Sequence, residues 1–339
     1  MDVKIPDISK QIYKEEILGV MESRYSTVGS VWVSHQMDWL NGIYASYKDH
    51  NKFLIVILLI KKTLDFYSRN FTKLSYEEFY SSDTVEIEKF TVAEISKLLN
   101  IPKETTRRKL LELENEDVIK KIKKKLILDR SKFFKSKPIK SIKRTSRFLS
   151  MLSEMCVEEK ILSNKISSKE LELVIKDNFS YIWKIYYELQ IPMLIGYKKI
   201  FEDLEAFHIF GICIVNEHLH ARKISGDYMN RDQFLKSIFT VNKVQGINAM
   251  SISDITSIPR ATVIRKLKKL VNQKILTINA KKHYKLTGSF ANKLQPLQKN
   301  VFVKLADFST KVFNLAILSE KLNNKKVKKP LAKFELEYL

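Results

Sequence analysis

Apolar residues recur along much of this chain at intervals of three and four, the period of a helix with one buried face. The clearest stretch is Thr91 to Leu99, with Val92, Ile95, Leu98 and Leu99 on one such face. Asn100 follows, a residue that tolerates the left-handed backbone ending a helix. Ile101 can plug the corner, and Pro102 falls at the first position of a second helix, where its missing N–H costs nothing. Thr106, Leu110 and Leu113 then mark a second buried stripe. The pattern predicts two short amphipathic helices joined by about three residues, a helix-turn-helix.

The same pattern returns 157 residues later. Residues 95–115 read ISKLLNIPKETTRRKLLELEN and residues 252–272 read ISDITSIPRATVIRKLKKLVN, with ten identities in 21 gapless positions. They include Ser96/Ser253, Ile101/Ile258, Pro102/Pro259, Thr105/Thr262, Arg108/Arg265, Lys109/Lys266, Leu110/Leu267 and Leu113/Leu270. An internal repeat of this kind predicts two copies of one module. Beyond the window the likeness is one of character: Asn51 to Lys61 falls opposite His208 to His218, both apolar and helical, and long helical stretches follow at about 141–162 and 299–322.

After each helix pair the period changes to that of short β-branched strands around a Lys cluster: VIKKIKKKLIL at 118–128 and ILTINAKKHYKL at 275–286. Each reads as a β-hairpin with a basic tip, a wing. The expected fold is therefore mainly α with small β-wings, two tandem winged helix-turn-helix modules whose flanking helices form a pseudo-dimer. Module one spans 10–165 (helix pair 91–116, wing 117–129) and module two 166–325 (helix pair 248–272, wing 274–287); a basic tail occupies 326–339.

Charge turns this architecture toward a partner. The 339 residues hold 60 Lys plus Arg against 38 Asp plus Glu, a formal net charge of +22. An excess that large self-repels unless a polyanion offsets it. Half of it, 17 cations against 6 acids, lies between Ile101 and Phe148, on the second helix, the wing and the helix after it. The face left off the buried stripe of the second helix (102–115) carries Lys103, Glu104, Thr105, Arg107 and Arg108; its counterpart (259–272) carries Arg260, Thr262, Arg265 and Lys268. Arg reads guanine edges with two donors, and Thr and Lys suit phosphates. Lys120, Lys121, Lys123, Lys124 and Lys125 of the first wing, with Lys281 and Lys282 of the second, are the candidate backbone contacts. The bland alternative, a helical hairpin with a solvated basic face, does not account for a duplicated Ile-Pro-x-x-Thr-x-x-Arg-Lys-Leu-x-x-Leu.

On these residues the chain resembles the winged helix-turn-helix regulators of the MarR-like kind, over about 91–129 and 248–287. The resemblance implies a sequence-specific double-stranded DNA binder and transcription regulator. Family members act as homodimers of single modules, so two modules on one chain imply a monomer working as a pseudo-dimer. The chain departs from the family's frequent Gly in the turn and before the wing: Asn100 and Ser257 hold the turn, and Asp117 and Lys274 the pre-wing position. Lys tolerates a positive φ less well than Asp, so a distorted second wing and a weaker second unit are expected.

Other chemistry finds little material. With eight Gly there is no Walker or dinucleotide loop, and no Cys pair has zinc spacing, so neither an enzyme nor a cofactor is expected. His218 and His220 stand two apart on a helix and point to different faces. Cys156 and Cys213 read as packing residues of a reducing, cytoplasmic compartment; no signal peptide is visible, and the longest apolar run, Phe53 to Ile60, is far short of a span. The aromatic group Phe179, Tyr181, Trp183, Tyr186 and Tyr187 reads as core or module interface, the alternative being the lining of a small-molecule effector pocket. Two other functions stay open: a plasmid-type replication initiator, which would bind directly repeated sites, and a winged-helix scaffold for protein partners.

Overall fold

A computed structural model of the chain describes residues 11–87, 90–122, 125–129, 138–225, 228–240 and 246–323. The protein is mainly helical, with five short strands among the described residues. Helices α1 (Lys14–Ser23), α2 (Tyr25–Tyr47) and α3 (His50–Arg69) come first, then the single turn α4 (Tyr76–Phe79) and strand β1 (Thr84–Ile87). The helix pair α5 (Val92–Leu99) and α6 (Lys103–Asn115) leads into β2 (Ile119–Ile122), β3 (Lys125–Asp129) and α7 (Ile139–Glu158). The second half runs α8 (Ser168–Asp177), α9 (Phe179–Phe201), α10 (Leu204–Ser225), α11 (Arg231–Thr240), α12 (Ala249–Thr256) and α13 (Arg260–Asn272). It closes with β4 (Leu276–Ile278), β5 (Tyr284–Leu286) and α14 (Gly288–Asn323).

Local sequence sets these boundaries. Thr91 with Glu94, and Ser167 with Glu170, form capping boxes that satisfy the free amides opening α5 and α8. Asp49 caps α3, accepting from the amides of Asn51 and Lys52. Asn100 (φ 51°) and Ser257 (φ 58°) end α5 and α12 in the left-handed conformation. Pro102 and Pro259 stand one place earlier than the pattern predicts: they are the capping residues themselves, ψ 139° and 134°. Their carbonyls accept from Thr106 and Val263, the first bonds of the next helices. α14 starts directly after β5, ahead of the predicted Lys299, because buried Phe290, Ala291 and Leu294 hold its first turns in place despite Pro296.

The most extensive helix contacts join opposite halves, and they do so reciprocally. α1 packs on α14 as α8 packs on α7, and α2 packs on α10 as α9 packs on α3. Main-chain ties follow the same exchange. The Ser26 amide opening α2 donates to the Met229 carbonyl at 3.0 Å, and the Ser180 amide of α9 donates to the Leu74 carbonyl at 3.0 Å. Ser26 and Ser180 return the gesture through their hydroxyls, which accept from the amides of Met229 and Leu74. Gly211 lets α10 approach α2 closely: a Cβ there would stand 2.1 Å from the Met37 sulfur.

Phe179, Trp183, Tyr186 and Tyr187 of α9 are buried in this shared core, with Trp183 stacked between Phe179 and Tyr186. Tyr181 of the same group faces outward. Leu98, placed on the buried face by periodicity, does not lie there, nor does Ile255, which aligns with it in the repeat. Leu98 and Ile255 are half exposed, and the buried positions of α5 and α12 are Ile95 with Leu99 and Ile252 with Thr256, one helical turn apart. The first wing belongs to a three-stranded antiparallel sheet in the order β1-β3-β2. β1 has no counterpart in the sequence-based expectation. The second wing is the β4-β5 hairpin, and an isolated bridge from Ile247 to Tyr284 stands where a third strand would join it. No helix among the described residues is long and apolar enough to cross a membrane.

Candidate nucleic-acid interface

Each helix pair is built to hold its second helix outward. Ser96 and Ser253, identical in the repeat, donate from their hydroxyls to the carbonyls of Ile101 and Ile258 at 2.7 Å. That bond locks each plugging isoleucine, both fully buried, under the corner. α6 buries Thr106 and Leu113, and α13 buries Val263, Leu267 and Leu270. The opposite face is left to solvent.

That face carries the predicted contact residues. Lys103, Glu104, Arg107 and Arg108 are exposed on α6, with Thr105 half buried. Arg260, Arg265 and Lys268 are exposed on α13, with Thr262 half buried. The two faces differ in how their charge is committed. Arg107 pairs with Glu104 at 3.2 Å, and the Arg108 Nε stands 3.8 Å from Glu112. No carboxylate pairs with Arg260, Arg265 or Lys268 among the described residues. Ala261, Ile264, Arg265 and Lys268 line one shallow groove along α13.

Lys109 and Lys266, also identical in the repeat, do not join these faces. Both are almost buried and turn inward to the aspartates that cap the long helices. The Lys109 ammonium stands 2.8 Å from Asp49 and 2.8 Å from Glu112. Lys266 pairs with Asp203, which caps α10 by accepting from the Ala206 amide, and lies 3.7 Å from Glu205. Burial by itself disfavours the charged form of Lys109, but the bonds to Asp49 and Glu112 outweigh it and raise its pKa. Burial likewise pushes Asp49 upward, and Lys109 with the Lys52 amide more than reverses it. Each outward helix is thus bolted to a central helix of its own half.

A second bolt crosses between halves. Lys198 of α9 donates to the carbonyl of Asn100, in the turn of the first helix pair, at 3.0 Å. Burial brings its pKa down to about 8, against the pull of Asp203 and Asp49. His50 of α3 and His208 of α10 meet beside these groups at 3.3 Å, and His208 also bonds Asn41 at 2.8 Å.

The wings are placed unequally. Lys120 faces Asp129 at 3.1 Å and Asp117 at 3.7 Å, so its charge is engaged within the sheet. Lys121 and Lys125 lie in β2 and β3, while Lys123 and Lys124 lie outside the described residues, as does the 326–339 tail. Lys281 and Lys282 are exposed at the tip of the second wing. That tip closes through bonds from the Asn279 amide to the His283 carbonyl (3.0 Å) and from the Lys282 amide to the Asn279 carbonyl (2.9 Å). Asp117 and Lys274, before the two wings, both take a positive φ, 58° and 56°. Lys274 reaches that conformation without unpairing its wing: Leu276 to Ile278 remain in register with Leu286 to Tyr284.

One further group joins wing and core. Glu217 of α10 is buried and accepts from the Leu286 amide of β5 at 2.5 Å. Burial raises its carboxyl to about 7, with that amide and Lys285 opposing. In the first half α3 is tied to a different strand and by a neutral group, the Thr63 hydroxyl donating to the Glu86 carbonyl of β1 at 3.0 Å.

No protein family, curated protein or solved structure matches the chain. Its chemistry must therefore be read from the residues alone. Among the described residues, no group of three or more His, Cys, Asp or Glu is arranged to hold a metal ion. His218 is buried beside Ser30 and Phe234, and burial lowers its pKa to about 4. Both cysteines are buried, and burial pushes the Cys156 thiol up to about 12. What remains exposed, charged and duplicated is the pair of outward helix faces.

Proposed function

We propose that the protein is a sequence-specific double-stranded DNA-binding regulator built from two tandem winged helix-turn-helix modules joined as a covalent pseudo-dimer. One observation carries the reading. In both helix pairs the repeated Lys-Leu-x-x-Leu face of the second helix is anchored to the core while its Thr-x-x-Arg face is turned outward. Scaffolding alone accounts for the anchored identities, Ser96/Ser253 and Lys109/Lys266. It does not account for a repeated exposed arginine at Arg108 and Arg265, which major-groove recognition does.

The reciprocal pairing of the halves supports inverted half-sites rather than the direct repeats of a replication initiator, because exchange of the two halves presents the two faces in opposite directions. The unpaired cations of α13 support a second unit at least as strong on DNA as the first, opposite to the expectation drawn from Lys274. The test is binding of the purified protein to duplex DNA across a salt series, with footprinting of selected sites. One chain should protect two segments about one helical turn, or a multiple, apart, and affinity should fall steeply with salt. Absence of binding even at low salt would sink the reading. It would favour a protein partner, for which the half-exposed Leu98 and Ile255 at matching positions of α5 and α12 supply the contact surface.

A further inference from the structure

On the outward faces of the two second helices, Thr105/Thr262 and Arg108/Arg265 are the same residue in both, while the neighbouring pairs Glu104/Ala261 and Arg107/Ile264 differ. The differences are chemical opposites. Glu104 and Arg107 form a hydrogen-bonded ion pair at 3.2 Å on an exposed surface. Ala261 and Ile264 are apolar and line the groove beside Arg265 and Lys268.

An acid on a face that meets a polyanion is repelled by every phosphate, so it works there only against a base that offers an amine. In the major groove cytosine presents N4 as a donor, and a carboxylate accepts from it. A guanidinium bonded to that carboxylate is then positioned for O6 and N7 of the guanine paired with the cytosine. Ala261 and Ile264 offer no hydrogen bond and match instead the C5-methyl group of thymine.

Resting on the duplex-DNA reading above, we propose that the two half-sites share a guanine read by Arg108 and Arg265 and differ at one neighbouring pair. That pair is C·G under Glu104 and Arg107, and T·A under Ala261 and Ile264. Glu104 and Ala261 are the residues that set the difference, and the preferred site is therefore an imperfect inverted repeat.

The experiment is selection of bound sequences from random duplex DNA by the full chain and by three variants, Glu104→Ala, Glu104→Gln and Ala261→Glu. Both positions are exposed, so thermal unfolding should match the unsubstituted protein. The unsubstituted chain should enrich a two-part site with cytosine in one half where the other has thymine. Glu104→Ala should lose the cytosine preference, by about tenfold or more at that position, and leave the other half unchanged. Glu104→Gln should move the preference to adenine, which presents the donor and acceptor that an amide matches. Ala261→Glu should bring cytosine into the second half. If Glu104→Ala instead tightened binding to all sequences alike with no change of preferred base, Glu104 would be only a helix-terminal charge and the proposal would fall while DNA binding stood. If the unsubstituted chain itself enriched nothing and bound no duplex, the DNA reading would fall with it.

Discussion

The two outward helices, α6 and α13, have the same length and the same anchors, yet their charge is handled differently. On α6 the cations Lys103, Arg107, Arg108 and Lys109 sit among Glu104, Glu112 and Glu114, and three of them are engaged by those acids or by Asp49. α13 carries Arg260, Arg265, Lys266, Lys268 and Lys269 with no acid of its own; among the described residues only Lys266 and Lys269 are paired, with residues beside the start of α10. The anchoring residues are the same in both helices while the outward surfaces differ. A repeated residue is therefore not automatically a contact residue: of the four side chains Ser96, Thr105, Arg108 and Lys109, the first and last serve the fold.

The largest expected effect separates the second half from the first at its wing. Glu217 titrates at about 7 in the fold but near 4.5 when exposed. The native state therefore holds a proton that the unfolded chain releases as pH rises between those values. Stability falls across that window, and the penalty is complete above it. Glu217→Gln should remove a destabilisation on the order of 3 kcal/mol at pH 8 and almost none near pH 4.5. Urea unfolding at both pH values checks this; an equal shift at the two would refute it. A change at Thr63, whose neutral hydroxyl ties α3 to β1, should show no such pH dependence.

Next comes the comparison of the two faces. Arg265→Ala should weaken binding to a selected site by about 2 kcal/mol. Arg108→Ala should cost less, because Glu112 already draws on that guanidinium. Titration of each variant on one labelled duplex decides it, and a larger loss at Arg108 would reverse the ranking of the units. Smaller again are the anchors. Lys109→Met should destabilise the fold by about 2 kcal/mol and Lys266→Met by about 1, since Asp49 is less exposed than Asp203 and loses more when left unpaired. Thermal unfolding ranks them. The smallest contrast lies at the caps. Thr91→Ala and Asn248→Ala should each cost about 1 kcal/mol, with Thr91 the more costly because its partner Glu94 closes a reciprocal box that Asn248 lacks.

Much of this was readable from sequence wherever the cause is local. The three-and-four spacing around Ile95 and Leu113, the left-handed Asn100 and the Asn279 hairpin all depend on residues within a few positions of one another. β1 was not readable: Thr84 to Ile87 alternates over only four residues, too few to separate a strand from a loop. Leu98 and Ile255 misled because a helix face two residues wide can be filled from either side, and the packing partner decides. The inward turn of Lys109 and Lys266 depends on Asp49 and Asp203, some sixty residues earlier in the chain. Their identity in both copies was the one available signal, and it marked importance without marking direction. Glu217 gave no signal, since its burial depends on the strand β5 that covers it.

The reciprocal packing of the halves also bears on how the protein is made. The apolar flank of α3, Phe53 to Ile60, is covered by α9, which ends at Phe201. At common rates of synthesis that partner follows on the order of 10 s later. For that interval the first half is a helical fragment with a bare greasy seam, closed only when distant sequence arrives. Its assembly must wait on long-range contacts, and a chain interrupted before α9 is a candidate for capture by chaperones or for aggregation.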